Sequence, residues 1–139
     1  MVRQESDSLV LRPTRAGLHE FTESVQSWLA STGISEGLLT IFCRHTSASL
    51  LIQENAASAV GRDLQRYFAR LAPESEVYEH DDEGHDDMPA HLRSALTQTH
   101  LSIPVSRGRM VLGTWQGIFL FEHRRATPER RVALHLIGE

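Results

Sequence analysis

Histidines and carboxylates are concentrated in one short stretch of this sequence, YEHDDEGHDDMPAHL, which spans residues 78–92. Six acidic side chains and three imidazoles lie within these fifteen positions. Imidazole nitrogens and carboxylate oxygens bind zinc and other divalent metals, and they also transfer protons. The spacing matches no standard zinc motif such as HExxH, and runs of charge are commonly solvated loops. A metal or proton-transfer site and a solvated acidic loop therefore both stay open for this stretch.

Two other stretches place polar groups next to apolar runs. In IFCRHTSAS, an extended strand would put His45 on the same face as Cys43 and Ser47. His45 is then either a pocket residue or a core histidine bonded to backbone. In GTWQGIFLFEHR, Glu122 is a carboxylate at the end of an apolar strand, so it needs a metal, a proton or a cation. A salt bridge from Glu122 to an arginine is the alternative.

The composition excludes several classes of chemistry. All fourteen basic residues are arginine, so Schiff-base and Walker-lysine chemistry are excluded and we expect no organic cofactor. Cys43 is the only cysteine, which excludes an intrachain disulfide and a Cys-rich zinc site. The net charge of -4 and the lack of a motif that combines aromatic and basic residues argue against nucleic-acid binding.

The length of 139 residues favours a single domain over residues 1–139, and no run is apolar enough for a signal peptide or a membrane span. We therefore expect a cytoplasmic protein with no membrane partner. Hydrophobic periodicity predicts three helices, at 22–32, 55–73 and 88–99. It predicts strands at 8–12, 17–22, 37–53, 101–105, 109–113, 116–124 and 130–138. This order favours an α+β fold, with a mainly antiparallel sheet or sandwich and about three helices.

The segment 37–53 is expected to be one central strand with a bend near residues 46–48. The helix at 55–73 is expected to bury one apolar stripe, because its large apolar residues recur every three or four positions: Val60, Leu64, Tyr67, Phe68 and Leu71.

Three blocks of the sequence together resemble the signature blocks of the YjbQ-like family, also called the secondary thiamine-phosphate synthase family. They are HTSASLLIQEN (45–55), YEHDDEGHDDMPAHLRSAL (78–96) and GTWQGIFLFEHR (113–124). The resemblance runs nearly end to end and implies an α+β fold that assembles as a homotrimer with pockets near subunit interfaces. It also implies a weak thiamine-phosphate synthase activity, which joins a pyrimidine methyl pyrophosphate to a thiazole phosphate and releases pyrophosphate.

The resemblance carries candidate roles to individual positions. Pocket residues from the three blocks are His45, His80, Asp87, His91, Gln116 and Glu122, with Asn55 in support. His85 departs from the family pattern, and Arg93 stands where the family commonly has lysine.

Departing pyrophosphate needs its negative charge neutralised, by a divalent metal or by arginines. At the positions that the resemblance implies, we expect His45, His80 and His91 to bind a divalent metal, zinc or magnesium, and Asp87, Gln116 and Glu122 to act in catalysis. Glu122 or Asp87 is expected to serve as a further ligand, as a partner that orients a ligand, or as a general base. Asn55, Arg93 and Arg124 are expected to bind a small phosphorylated substrate. Two alternatives remain open: a metal-dependent hydrolase of a small phosphate or amide, and a non-catalytic metabolite-binding module.

Overall fold

The computed structural model describes residues 1–139, with three helices and eight strands. The helices are α1 (Thr22–Thr32), α2 (Ser58–Leu71) and α3 (Asp87–Leu96). The strands are β1 (Arg3–Leu11), β2 (Gly17–Glu20), β3 (Gly37–Cys43), β4 (Ala48–Glu54), β5 (His100–Ser106), β6 (Arg109–Met110), β7 (Gln116–Glu122) and β8 (Arg130–Gly138). None of the helices is long and apolar enough to cross a membrane.

The strands form two antiparallel sheets. One has five strands in the order β1-β8-β3-β5-β6, and the other has three in the order β2-β7-β4. Apolar side chains from both sheets and from α1 form a single core of 18 buried residues, which includes Leu29, Leu39, Leu50, Leu120 and Leu134. The alternation of buried and exposed residues in β5 is what a strand with one solvated face requires. The α+β class, the three helices and the mainly antiparallel sheets are thereby confirmed.

The segment predicted as one bent strand is two strands in different sheets. β3 ends at Cys43 in the five-stranded sheet, and β4 begins at Ala48 in the three-stranded sheet. Both halves are rich in apolar residues because the central strand β3 and the partly buried strand β4 each face the shared core. His45 therefore lies on the connection between the sheets, and the predicted strand face shared by Cys43, His45 and Ser47 does not form.

Helix α2 buries less of its apolar stripe than the periodicity predicted. Phe68 is the one buried residue of the helix, whereas the side chains of Tyr67 and Leu71 are half exposed. Leu96 of α3 is also exposed and lines the same shallow cavity as Tyr67. We call Tyr67, Leu71 and Leu96 the helical patch. The outer face of the five-stranded sheet carries exposed apolar side chains as well: Leu38, Phe42 and Ile137.

Candidate functional site

Four metal-binding side chains converge at the start of α3. One donor atom from each of His80, Glu83, Asp87 and His91 lies within 4.8 Å of the other three. Asp87 and His91 are four residues apart on α3, so they project from the same face of the helix. The preceding loop turns at Gly84, whose φ of +100° favours glycine, and the turn brings His80 back beside Asp87. We call these four residues the histidine cluster.

Asp87 is the centre of the histidine cluster. Its Oδ2 lies 3.1 Å from His80 Nε2 and 3.2 Å from His91 Nε2, and its side chain is only 4% exposed. Glu83 Oε2 lies 3.3 Å from His80 Nε2. Burial lowers the pKa of His80, but the hydrogen bonds to Asp87 and Glu83 outweigh burial and raise that pKa above its ordinary value. The predicted ligands His80 and His91 are thus close together, and Glu83 is a donor that the sequence did not single out.

The backbone holds His91 in one orientation. The His91 Nδ1–H donates a hydrogen bond to the carbonyl oxygen of Thr46 at 2.9 Å. Because a carbonyl oxygen only accepts, Nδ1 must carry the proton, and Nε2 of the neutral ring then carries the lone pair that points at Asp87. A histidine whose second nitrogen is fixed by a carbonyl is the arrangement that metal-binding histidines usually adopt.

Arg124 binds the loop before α3 and the start of α3 through all three nitrogens of its guanidinium group. Its Nη1 donates to Asp87 Oδ1 at 2.7 Å, its Nε to Asp86 Oδ2 at 3.3 Å, and its Nη2 to the Glu83 carbonyl at 3.0 Å. Burial raises the pKa of Asp86, but hydrogen bonds from the Arg125 N–H and from Arg124 reverse this and hold the pKa below its usual range. The structure thus places Arg124, predicted to bind substrate, where it fixes the loop that carries the histidine cluster.

Glu122 is paired with an arginine inside the protein. Its side chain is fully buried; Oε1 accepts from Arg130 Nε at 2.7 Å, and Oε2 accepts from Arg130 Nη2 and from the Arg124 N–H. Arg130 also donates to the Ser47 carbonyl at 3.1 Å. The salt bridge from Glu122 to an arginine, which was one of the alternatives for this residue, is therefore present. Glu122 was predicted to act in catalysis, but it has no exposed oxygen with which to reach a substrate.

His45 stands outside the histidine cluster. Its Nε2 accepts a hydrogen bond from the Arg131 N–H at 2.7 Å, and this nitrogen is therefore not available to a metal. Burial is the main cause that lowers the pKa of His45, and the charge of Arg130 adds to it. The predicted trio of His45, His80 and His91 does not meet within one chain. His45 lines a neighbouring cavity of about 620 Å³, which adjoins Thr46.

Gln116 and Asn55 lie at the far end of the three-stranded sheet. The register pairs Ala48 with Glu122 at one end of β4 and Glu54 with Gln116 at the other, six residues or about 20 Å away. Gln116 Oε1 accepts from the Gly113 N–H at 2.7 Å, and Asn55 Nδ2 donates to Glu20 Oε2 at 3.2 Å. The residues that the three blocks predict to line one pocket therefore lie at two separate places within one chain.

Arg93 belongs to a buried polar group that the sequence did not reveal. It is 8% exposed, its Nη2 donates to the Ala72 carbonyl, and its Nε has no protein partner. His123 is buried nearby, with Nε2 2.9 Å from Ser49 Oγ, which in turn lies 2.6 Å from Thr97 Oγ1. Burial, with the charges of Arg93 and Arg130, lowers the pKa of His123 to about 3. A histidine within the apolar strand sequence FLFEHR was the only signal for this buried group.

We expect His123 to make the protein less stable in mild acid. The unfolded chain binds a proton near the ordinary pKa of 6.5, whereas the folded chain excludes it until the pH approaches 3. The stabilisation is therefore complete above pH 6.5 and falls as the pH falls, by about 2 kcal/mol at pH 5. Urea unfolding of metal-free protein at pH 7 and pH 5 measures this loss. His123→Gln, which cannot titrate, should show a smaller loss, and equal losses in both proteins would contradict the assignment.

The sequence of this chain is similar to the members of one protein family. The family model described as "UPF0047 protein YjbQ-like" matches residues 7–139. The UPF0047 protein sll1880 of Synechocystis is 50% identical over 138 residues, covering 99% of this chain and 94% of its own. The UPF0047 protein YjbQ of Escherichia coli O157:H7 is 43% identical, covering 95% and 96%.

Solved structures share the same fold. A YbjQ-like protein of unknown function from Sulfolobus solfataricus superposes with a TM-score of 0.92 at 25% identity, over the whole of both chains. The hypothetical protein APE1520 from Aeropyrum pernix superposes with a TM-score of 0.87 at 30% identity, covering 97% of this chain and 99% of its own. These names describe family and fold and state no reaction.

Proposed function

The chain belongs to the YjbQ-like UPF0047 family, and we propose that it is a metal-dependent enzyme acting on a small phosphorylated substrate. The specific reaction we propose is the thiamine-phosphate synthase reaction implied by the sequence blocks. The observation that supports the proposal is the pair of imidazole nitrogens, His80 Nε2 and His91 Nε2, that face the same oxygen of buried Asp87.

That geometry favours a cation in the histidine cluster. Since the Thr46 carbonyl fixes the proton of His91 on Nδ1, Nε2 of the neutral ring would face Asp87 Oδ2 with lone pair against lone pair at 3.2 Å. Such a contact needs a proton or a metal ion between the two atoms. With both histidines neutral, the three carboxylates of Glu83, Asp86 and Asp87 and the single Arg124 guanidinium sum to two negative charges, which favours binding of a divalent cation.

The donor set fits zinc. Tetrahedral zinc with bonds of about 2.0–2.2 Å holds its ligand atoms about 3.3 Å apart. Asp87 Oδ2 is already 3.1 and 3.2 Å from the two imidazole nitrogens, and Glu83 is exposed enough to adjust. Two nitrogens and two carboxylate oxygens favour zinc over magnesium, which prefers oxygen ligands and water. His80, Asp87 and His91 would hold the ion, with Glu83 as a fourth donor.

The cavity beside His45 is the proposed place for the phosphate groups. His45 is next to Thr46, whose carbonyl orients His91, so this cavity adjoins the histidine cluster. Arg44 lines it, forms no ion pair and is exposed, so its guanidinium is free to bind a phosphate. A bound divalent metal would supply a Lewis acid that neutralises charge developing on departing pyrophosphate.

The proposed reaction needs no general base from the chain. The thiazole nitrogen forms a bond to the pyrimidine methylene carbon while the bond from that carbon to the pyrophosphate oxygen breaks, and no proton is removed. Full burial of Glu122 is therefore compatible with this reaction. In a hydrolase, water would attack instead and a base would have to accept its proton.

We also propose that three copies of the chain assemble into a ring. A cyclic trimer joins two different surfaces of each subunit, and this chain has two separate exposed apolar surfaces. They are the helical patch and the outer sheet face with Leu38, Phe42 and Ile137. Phe42 also lines the cavity beside His45, so a neighbouring copy on the sheet face would border the proposed substrate site.

Product analysis tests the proposed function. Zinc-loaded protein incubated with the pyrimidine methyl pyrophosphate and the thiazole phosphate should form thiamine phosphate and pyrophosphate in equal amounts. His91→Ala should lower the rate on the order of 100-fold because it removes a metal ligand. His85→Ala is the matched control, because His85 lies in the same loop and outside the histidine cluster.

Two results would contradict the proposal. Release of the pyrimidine alcohol at the same rate without the thiazole phosphate would identify a hydrolase. No turnover of either substrate by the zinc-loaded wild-type protein would leave only binding. Light scattering on the assayed protein should give a mass of three 15.6 kDa chains, and a monomer would contradict the ring.

A further inference from the structure

We propose that a second cavity, at the opposite end of the three-stranded sheet, binds a small aromatic phosphate independently of the histidine cluster. The cavity has a volume of about 790 Å³ and lies between β2, β7 and helix α2. Its lining includes Arg15, Leu18, Asn55, Gly61, Arg62 and Phe119, and we call it the α2 cavity. Sites for small organic molecules commonly have volumes of about 300–1,000 Å³.

The arginines of the α2 cavity are available to an anion. Arg15 and Arg62 form no ion pair, and Arg62 makes only a hydrogen bond to Ser58 Oγ, one turn earlier in α2. Arg66, the third arginine in the lining, is paired with Asp63. Two unpaired guanidinium groups at one cavity supply the donors that phosphate needs, because arginine can bind a phosphate group through two parallel hydrogen bonds.

The carboxylates of the α2 cavity are already occupied by protein donors. Glu54 Oε2 accepts from the N–H groups of Ala56 and Ala57 at 3.1 and 2.9 Å, at the start of α2. Glu20 Oε2 accepts from Thr22 Oγ1 at 2.8 Å and from Asn55 Nδ2 at 3.2 Å. These neutral donors hold the two carboxylates in place but do not remove their charge. An anion would therefore bind through direct contacts with the Arg15 and Arg62 guanidinium groups, not through a net positive charge.

Gly61 leaves open space in the α2 cavity beside Leu18. Glycine inside a helix costs about 1 kcal/mol relative to alanine. A Cβ at position 61 would meet nothing closer than Leu18 Cδ1 at 3.7 Å, which is an ordinary contact. Packing within the chain therefore does not exclude a side chain here. Leu18 and Phe119 line the same cavity and supply apolar surface against which a flat ring can pack.

The α2 cavity is separate from the histidine cluster. The two share no lining residue, and they lie at opposite ends of β4, about 20 Å apart by its strand register. Asn55, which the family resemblance associated with substrate, lines this cavity. Binding here therefore requires neither a metal ion nor the proposed reaction.

Calorimetry with phenyl phosphate on metal-free protein treated with a chelator tests the site. We expect saturable binding that Arg62→Gln or Gly61→Leu weakens at least tenfold, the first by removing a phosphate contact and the second by filling the ring position. Arg70→Gln is the matched control, since Arg70 is exposed on the same helix outside the cavity. It should change the affinity less than twofold, and circular dichroism checks that each variant is folded.

Three outcomes would overturn the proposal. They are no saturable binding of phenyl phosphate, an equal loss of affinity in Arg70→Gln, and binding of inorganic phosphate as tight as that of phenyl phosphate. The first would mean that the α2 cavity does not bind the ligand. The second would mean that the affinity comes from the general charge of helix α2, and the third that the aromatic ring makes no contact with the protein. Phenol, which lacks the anion, should bind at least tenfold more weakly than phenyl phosphate.

Discussion

Replacing Arg130 by Met is expected to lower the free energy of unfolding by about 3–5 kcal/mol. The Arg130 and Glu122 side chains are 3% and 0% exposed, and Arg130 supplies two of the three hydrogen bonds that Glu122 accepts. Removing the guanidinium leaves a carboxylate inside the core with one backbone donor. Urea unfolding at neutral pH measures the loss, which is large for a domain of this size because typical stabilities are about 5–15 kcal/mol.

Two variants separate this effect from a general loss of positive charge. Arg131→Met removes the next residue in the chain, whose exposed salt bridge with Glu129 is expected to contribute less than about 1 kcal/mol. The double variant Glu122→Leu, Arg130→Met removes both charges and should recover much of the loss, because a buried ion pair contributes little beyond its matched apolar replacement. A single Arg130→Met variant that loses no more than Arg131→Met would contradict the argument.

The buried ion pair also connects the fold to the candidate site. Arg130 on β8 holds Glu122 on β7 and the Ser47 carbonyl on the connection between the sheets. The same connection supplies the Thr46 carbonyl that orients His91, and Glu122 accepts from the N–H of Arg124, which holds Asp87. We therefore infer that Glu122 positions the histidine cluster through Arg124.

Local periodicity predicted most of the elements of this fold. The helix predicted at 22–32 is observed as α1 with the same bounds, and Val25 and Leu29 on it are buried. The main difference is the segment 37–53, which divides between two sheets. A run of apolar residues is equally suitable for one long central strand and for two shorter strands that face the same core, so periodicity alone does not reveal the change of sheet.

The candidate site was predictable only where its residues are close in sequence. Asp87 and His91 share a helix face because they are four residues apart, and His80 is brought back by the turn at Gly84. The contacts of Glu122 with Arg130 and of His45 with the Arg131 N–H depend on the pairing of distant strands. The spacing of residues along the chain does not determine which strands pair. The predicted set of metal ligands therefore included His45 and omitted Glu83.

Replacing Asp87 by Asn is expected to lower zinc affinity on the order of 100-fold, because it removes the charged oxygen shared by both histidines. The amide keeps the size of the side chain, so α3 can still begin at this residue. Competition against a chromophoric zinc chelator measures the affinity. We also expect the wild-type affinity to fall as the pH falls, because protons compete with the metal for His80, whose pKa lies above its ordinary value.

Asp86→Asn is the matched control for Asp87→Asn. It makes the same chemical change one residue earlier, at a carboxylate that accepts from Arg124 and from the Arg125 N–H and touches neither histidine. Its effect on zinc affinity is expected to be about tenfold or less, because it acts only through the position of the loop. Equal losses in the two variants would mean that loop structure, not ligation by Asp87, controls the affinity. Zinc binding within threefold of wild type in Asp87→Asn would exclude Asp87 as a ligand and, with it, the proposed metal site.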